Sequence, residues 1–266
     1  RVAGTRSISN ALTIRSDFDA ASAGLRDASD IAGAHSDFLY TRFSDSAARQ
    51  CRTSDALTVA SGTIGVADAM AVLRDHGEAG QSPDWTPASG LFGQTVCAHA
   101  GFGPIRVSQS TGAMVAHLSS TGTTVWLTGT SATCLSVFKP VWMDTGLPDL
   151  GPAPGKYSDP ASLWWRHESM HREVLTDFAD RAPRVRDRIV SLEADLLVRA
   201  DAVAGNIAQT ARQRAEITAD AFVLAAQAEA ELLTQVQRRP VVNRRNWLYR
   251  RAWDGFDRDA HRQVAS

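Results

Sequence analysis

The spacing of apolar residues predicts both strands and helices in the first half of the chain. Residues 5–14 alternate apolar and polar side chains, which predicts a strand. Apolar residues then recur every three or four positions over 27–59 and 63–77, which predicts helices. Residues 95–143 contain short β-branched runs separated by glycines, which predicts antiparallel hairpins. Pro140 favours an edge strand at the end of this block, where the neighbouring Lys139 is interpreted as a solvated charge.

The second half of the chain has a helical pattern throughout. A segment rich in proline and glycine, 144–160, is predicted to be a long loop and the main internal boundary. Asp159 followed by Pro160 is typical of a helix start. The pattern therefore predicts an α+β protein, with a sheet-and-helix region over 1–157 and a C-terminal helical region over 158–266 that packs on it. The helices predicted in the second region cover 159–179, 183–203 and 206–238.

Composition excludes several classes of function. The formal net charge is −1, so no overall field attracts nucleic acid or an anionic membrane. No run of about 18 apolar residues is present to span a bilayer. Cys51, Cys97 and Cys134 are far apart and lack C-x-x-C spacing, so they are interpreted as reduced thiols of a cytoplasmic protein. His99 and His117 occur in strand-like segments and are interpreted as histidines at the border of the core.

The sequence H-E-S-M-H at 167–171 matches a zinc-binding pattern. On a helix, His167 and His171 point the same way, and Glu168 lies where a general base would be needed. Glu193 is the candidate third ligand, which completes the alternative hypothesis of a zinc metallopeptidase. The other interpretation is a helix face whose charged residues form ion pairs, with Glu168 and Arg172 at i,i+4 spacing.

Five stretches together carry a resemblance to one family. They are "ISNALTI" (8–14), "HSDFLYTRFSDSAARQCR" (35–52), "QSTGAMVAHLSS" (109–120), "WLTGTSATCLSVFKPVWMD" (126–144) and "DPASLWWRHESMHR" (159–172). In this order they resemble the secernin-type dipeptidases, which are N-terminal-nucleophile (Ntn) amidohydrolases. The resemblance implies an αββα sandwich, cleavage of an amide bond by an N-terminal cysteine, and no metal or other cofactor.

The resemblance also implies two site residues. Asn10 is similar to an asparagine that helps hold the oxyanion in more distant Ntn amidases. Arg42 is similar to an arginine beside the nucleophile. The residues themselves leave alternatives open, since Asn10 is also typical of a turn and Arg42 of a solvated helix residue paired with Asp37 or Asp45.

The chain departs from the family pattern at the nucleophile. It begins with Arg1, and its three cysteines are internal and have no free α-amine to act as base. We therefore expect the nucleophile in an upstream segment, of the same enzyme or of a partner chain, and no hydrolysis by the isolated chain. The expected substrate is a small peptide or other amide. The remaining alternative is a non-catalytic interaction module whose strand edges pair with a partner or with a second copy in a homo-oligomer.

Overall fold

A computed structural model describes most of the chain. The described ranges are 4–20, 22–25, 30–37, 44–59, 62–90, 94–102, 106–120, 122–204, 211–242 and 246–262. The predicted site residue Arg42 lies outside them.

Within these ranges the chain forms a mixture of helices and one small antiparallel sheet, which confirms the α+β prediction. The α-helices are α1 Ile31–His35, α2 Ser46–Val59, α3 Val66–Leu73, α4 Leu163–Thr176, α5 Phe178–Ala204, α6 Ala211–Gln237 and α7 Trp247–Asp259. The strands are β1 Met114–Ser119, β2 Gly122–Leu127 and β3 Lys139–Val141. Short 3-10 turns occur at Ala23–Leu25, Ala79–Gln81 and Thr133–Leu135.

The sheet has the order β1-β2-β3, with antiparallel pairing throughout. The hairpin between β1 and β2 pairs Val115 with Trp126, and Trp126 also lies opposite Pro140 of β3. Because β3 pairs on one side only among the described strands, Pro140 does not interrupt a central ladder, and the predicted edge position is confirmed. The buried Thr218 of α6 donates to the Pro140 carbonyl at 3.0 Å, which fixes a helix against this edge.

Two predicted strands are wrong. Residues 5–14 form no ladder, and Ile8 is 85% exposed. The segment instead lies against α2, where Gln50 donates to the Ser7 carbonyl at 3.2 Å. Residues 95–100 are also irregular, because the Cys97 N–H bonds the Asp75 carbonyl in a loop. An alternating pattern yields a strand only where a second strand supplies hydrogen bonds.

The helix predictions of the second half are confirmed with shifted ends, but the helix predicted over 27–59 is interrupted, because α1 ends at His35, α2 begins at Ser46, and residues 36, 37, 44 and 45 are not helical. Helix α3 is shorter than the predicted 63–77, because Gly65 precedes it and its N–H is bound by the Asp68 carboxylate at 2.8 Å. Helix α4 begins at Leu163 rather than near Asp159. The Asp159 carboxylate accepts from the Ala161 N–H at 2.8 Å, which forms a turn just before the helix.

One hydrophobic core joins residues from both sides of position 157. The sheet side contributes Trp126 and Phe138, and helices α4 and α5 contribute Met170 and Leu196. Small residues of α6, such as Ala221, allow that helix to approach closely. None of the described helices is both long enough and apolar enough to cross a bilayer.

Candidate functional site

Four side chains of types that can bind a metal meet in the interior of the protein. His76, Cys97, His99 and Cys134 are at most 7% exposed, and their donor atoms all lie within 4.8 Å of one another. His99 Nε2 is the hub of the cluster, at 3.1 Å from His76 Nε2, 3.4 Å from Cys134 Sγ and 3.7 Å from Cys97 Sγ. We call these four residues the Cys₂His₂ cluster.

Three separate segments bring the cluster together. His76 follows α3 and is preceded by Asp75, whose carboxylate is held by Arg52 at 2.5 and 2.8 Å. The Asp75 carbonyl accepts from the Cys97 N–H at 3.0 Å, which ties the second segment to the first. Cys134 lies in the 3-10 turn between β2 and β3. The backbone around the cluster is therefore fixed independently of the four side chains.

Aromatic rings form part of the wall around the cluster. Trp85 stacks on His76 with ring centroids 4.4 Å apart. Phe178 packs edge-on against both Trp85 and His99, at 5.6 Å in each case. These contacts exclude water from the imidazoles and lower the local dielectric.

This environment determines the protonation of the cluster. Burial lowers the pKa of His99 to about 4, so its ring is neutral at pH 7 and keeps a lone pair. Burial also raises the pKa of the Cys97 thiol. Burial opposes ionisation of Cys134 too, but the hydrogen bond from Cys97 and the nearby imidazoles hold its pKa below the usual value. Cys134 is therefore the thiol that ionises first.

A buried carboxylate network adjoins the cluster. Glu168 of α4 is fully buried and accepts from Arg172 Nε at 2.8 Å, Gln109 Nε2 at 3.2 Å and the Ser131 hydroxyl, while His171 Nδ1 lies at 3.1 Å. Burial opposes its ionisation, but the charges and hydrogen bonds of these neighbours hold the pKa of Glu168 well below its usual range. The group is thus an ionised carboxylate with every oxygen occupied.

His171 connects this network with the Cys₂His₂ cluster. Its ring centroid lies 5.6 Å from that of His99, with the ring planes 39° apart. His171 Nε2 and His99 Nδ1 are both buried, and neither has a hydrogen-bond partner among the described residues. The two rings therefore present unused polar atoms in the same buried space.

The histidines of the H-E-S-M-H sequence are engaged in different networks. His167 lies 2.7 Å from Glu229 and 3.1 Å from the Ser136 hydroxyl, whereas His171 faces Glu168. The two oxygens of Glu168 are held by four neighbouring side chains.

The carboxylate of Glu193, the candidate third ligand, is also bound by other residues. Arg74 holds its carboxylate at 2.6 and 2.8 Å, and the Phe138 N–H donates to it at 2.7 Å. Among the described residues, the group that meets the distance requirement for a metal is the Cys₂His₂ cluster, and the predicted set His167, His171 and Glu193 does not form one.

Asn10 lies far along the chain from the cluster and is exposed. Its Oδ1 accepts from Arg49 Nη2 at 2.5 Å, and Arg49 also donates to the Gln94 carbonyl at 3.3 Å. Arg49 was not predicted as a site residue, because its contact with Asn10 spans 39 positions of sequence and no local pattern signals it.

The sequence did not reveal the Cys₂His₂ cluster. His99 is buried, but as a member of this cluster rather than at the border of the core, and His117 is exposed on β1. The one local signal was the close spacing of Cys97 and His99, two potential ligands separated by a single residue. His76 and Cys134 join them only through the tertiary fold.

No protein-family model, curated protein or solved structure matches this chain.

Proposed function

We propose that this chain is part of a cysteine-type Ntn amidohydrolase that cleaves a small peptide or other amide in the cytoplasm. In this proposal the sheet β1–β3 and the helices packed on it belong to an αββα sandwich. The main support is that side chains from three of the stretches that carry the family resemblance meet at one carboxylate.

The convergence on Glu168 is specific. Glu168 belongs to the stretch 159–172, and it accepts hydrogen bonds from Gln109 of the stretch 109–120 and from Ser131 of the stretch 126–144. The three stretches were chosen only for their resemblance to one family. A buried hydrogen-bond network shared by all three is expected if they belong to one structural unit. The network therefore supports their joint assignment.

The chemistry proposed for Asn10 follows from its contact with Arg49. Arg49 donates to Oδ1 of Asn10, so the Nδ2 amide is the half of the side chain that can donate to another acceptor. A donor of this kind stabilises the negative charge that develops on a carbonyl oxygen under nucleophilic attack. Arg49 acts as the positioning residue.

The nucleophile of this proposal comes from a terminal residue outside residues 1–266. Cys97 and Cys134 are buried in the Cys₂His₂ cluster, and Cys51 is an exposed residue of α2. Because all three are internal, none has the α-amine that takes the proton from the attacking thiol.

The test is hydrolysis of a panel of dipeptides by the natural polypeptide that contains these 266 residues. We expect hydrolysis that persists in the presence of a chelator, with the fold monitored by circular dichroism. We also expect an alkylating reagent to abolish it by labelling an N-terminal cysteine. Asn10→Ala should lower kcat/KM by about 10²–10³-fold, the effect of losing an oxyanion donor. The matched control is Thr13→Ala, another exposed polar side chain of the same segment.

Two results would contradict the proposal. One is the absence of hydrolysis across the panel. The other is activity that a chelator abolishes while the fold is retained, which would favour the metallopeptidase hypothesis instead.

A further inference from the structure

We propose that His76, Cys97, His99 and Cys134 bind one zinc ion as a closed, four-ligand structural site. The residues come from three segments of the fold, and the proposal does not depend on the amidohydrolase assignment. It rests on the geometry of the donor atoms, on their chemistry and on the groups behind them.

Three of the six separations between the donor atoms match those of a tetrahedral ion. Zinc with Zn–N of about 2.0 Å and Zn–S of about 2.3 Å separates two nitrogens by about 3.3 Å, and a nitrogen from a sulfur by about 3.5 Å. The corresponding distances here are 3.1 Å between His76 and His99, and 3.4 and 3.7 Å from His99 to the two sulfurs. All four donor atoms lie within 4.8 Å of one another, so one ion can contact them together.

The donor set selects the metal. Two sulfurs and two imidazole nitrogens in a tetrahedron favour zinc over hard cations, which prefer oxygen ligands. Two thiolates neutralise the charge of Zn²⁺, so the loaded site adds no net charge to the core. All four positions are filled by protein and the surroundings are aromatic, which is the arrangement of structural rather than catalytic zinc sites.

The Glu168 network lies behind one of the ligands. Glu168 Oε2 lies 3.1 Å from Nδ1 of His171, which holds the His171 ring beside His99. His171 Nε2 and His99 Nδ1 are buried imidazole nitrogens that have no hydrogen-bond partner in the described part of the chain. Nε2 of His99 faces the other three donor atoms, and the His171 ring packs against the His99 ring with centroids 5.6 Å apart. Zinc affinity depends on the groups behind the ligands, so we expect Glu168 and His171 to influence it through this packing.

The first experiment measures metal content in the full chain purified from zinc-supplemented medium. We expect about one zinc per chain. Cobalt substituted for zinc should give thiolate charge-transfer absorption and the visible bands of a tetrahedral ion. Cys97→Ser and Cys134→Ser should each lose most of the metal, whereas the matched control Cys51→Ser, at an exposed thiol, should retain it.

The wild-type chain tests the proposal even if the cysteine variants fail to fold. In the native protein we expect Cys51 alone to react with a thiol reagent, and stepwise titration with a mercurial should release zinc as Cys97 and Cys134 react. A chain without zinc that neither binds cobalt nor gains thermal stability on addition of zinc would overturn the proposal. So would a disulfide between Cys97 and Cys134 in protein purified under the same conditions.

A second experiment tests the supporting role of Glu168. Glu168→Gln should weaken zinc affinity by about 10–100-fold in competition with a chelator. Glu173→Gln, on the same helix, is the matched control and should leave the affinity unchanged. His171→Gln independently tests the contact between the Glu168 network and His99. Unchanged affinity in folded Glu168→Gln and His171→Gln would contradict this role. Neither experiment reads enzymatic activity, so their outcome is independent of the amidohydrolase proposal.

Discussion

At the scale of the residue, the clearest departure from expectation is Lys139. The sequence predicts a solvated charge beside Pro140, yet Lys139 is 1% exposed. Its ammonium donates to the carbonyls of Thr128 and Val137 at 2.7 and 2.8 Å, and lies 5.3 Å from the centre of the Phe222 ring. An edge strand is exposed only if no helix covers it, and α6 covers this one, which no local pattern can signal.

The environment of Lys139 makes stability depend on pH. Burial lowers its pKa from 10.5 to about 8, although the carboxylates of Glu229 and Glu193 oppose that shift. Between pH 8 and 10.5 the unfolded chain therefore binds the proton and the folded chain does not, so this group makes stability rise with pH. The difference between the two pKa values corresponds to about 3 kcal/mol of unfolding free energy.

We predict that Lys139→Met removes this dependence. The unfolding free energy of the variant, relative to wild type, should fall by about 3 kcal/mol as the pH rises from 8 to 10.5, because only the wild type gains stability over that range. Denaturant unfolding at several pH values measures it. Lys156→Met, at an exposed lysine, is the control and should show no such trend. A pH-independent difference for Lys139→Met would refute the prediction.

At the scale of the element, some features were predictable from the local sequence, whereas others depend on contacts between distant parts of the chain. The hairpin of β1 and β2 and the long helices α5 and α6 were predicted from the sequence, since their periodicity extends over many residues. The segment 5–14 has a strand pattern but no partner strand among the described residues. The Cys₂His₂ cluster draws its ligands from positions spread between 76 and 134, so its assembly depends on the fold rather than on spacing.

Helix α7 offers a test of a local signal. Asn246 caps it, with Oδ1 accepting from the Tyr249 N–H at 2.8 Å, and the helix buries Tyr249 and Trp253 in the core. Asn246→Ala should lower the unfolding free energy by about 1 kcal/mol, because a donor at the helix start loses its partner. Thermal unfolding measures the loss. Asn246→Ser retains an acceptor and should be nearly neutral; equal losses in both variants would show that the cap is not responsible.

At the scale of the whole molecule, the shared core governs cooperativity. The predicted boundary at position 157 divides the chain into two regions by composition, but Trp126 and Phe138 of the first region pack in the same core as Leu196 and Ala221 of the second. A core of this kind couples the two regions, so we expect them to unfold together.

Leu196→Ala tests this coupling. Leu196 is fully buried on α5, which packs on β3 and on the 3-10 turn that carries Cys134. The truncation should lower the unfolding free energy by about 2–5 kcal/mol. Hydrogen exchange should accelerate equally in the slowest amides of β2 and of α6. Acceleration confined to α6 would show that the two regions unfold separately.

Because Trp85 stacks on His76, tryptophan fluorescence can report on the Cys₂His₂ cluster. Of the seven tryptophans, Trp85 is the one in ring contact with His76. Its fluorescence should therefore respond to events at that imidazole. Fluorescence emission from a variant in which Trp85 is the principal emitter would therefore follow changes at the His76 imidazole over time, without an added label.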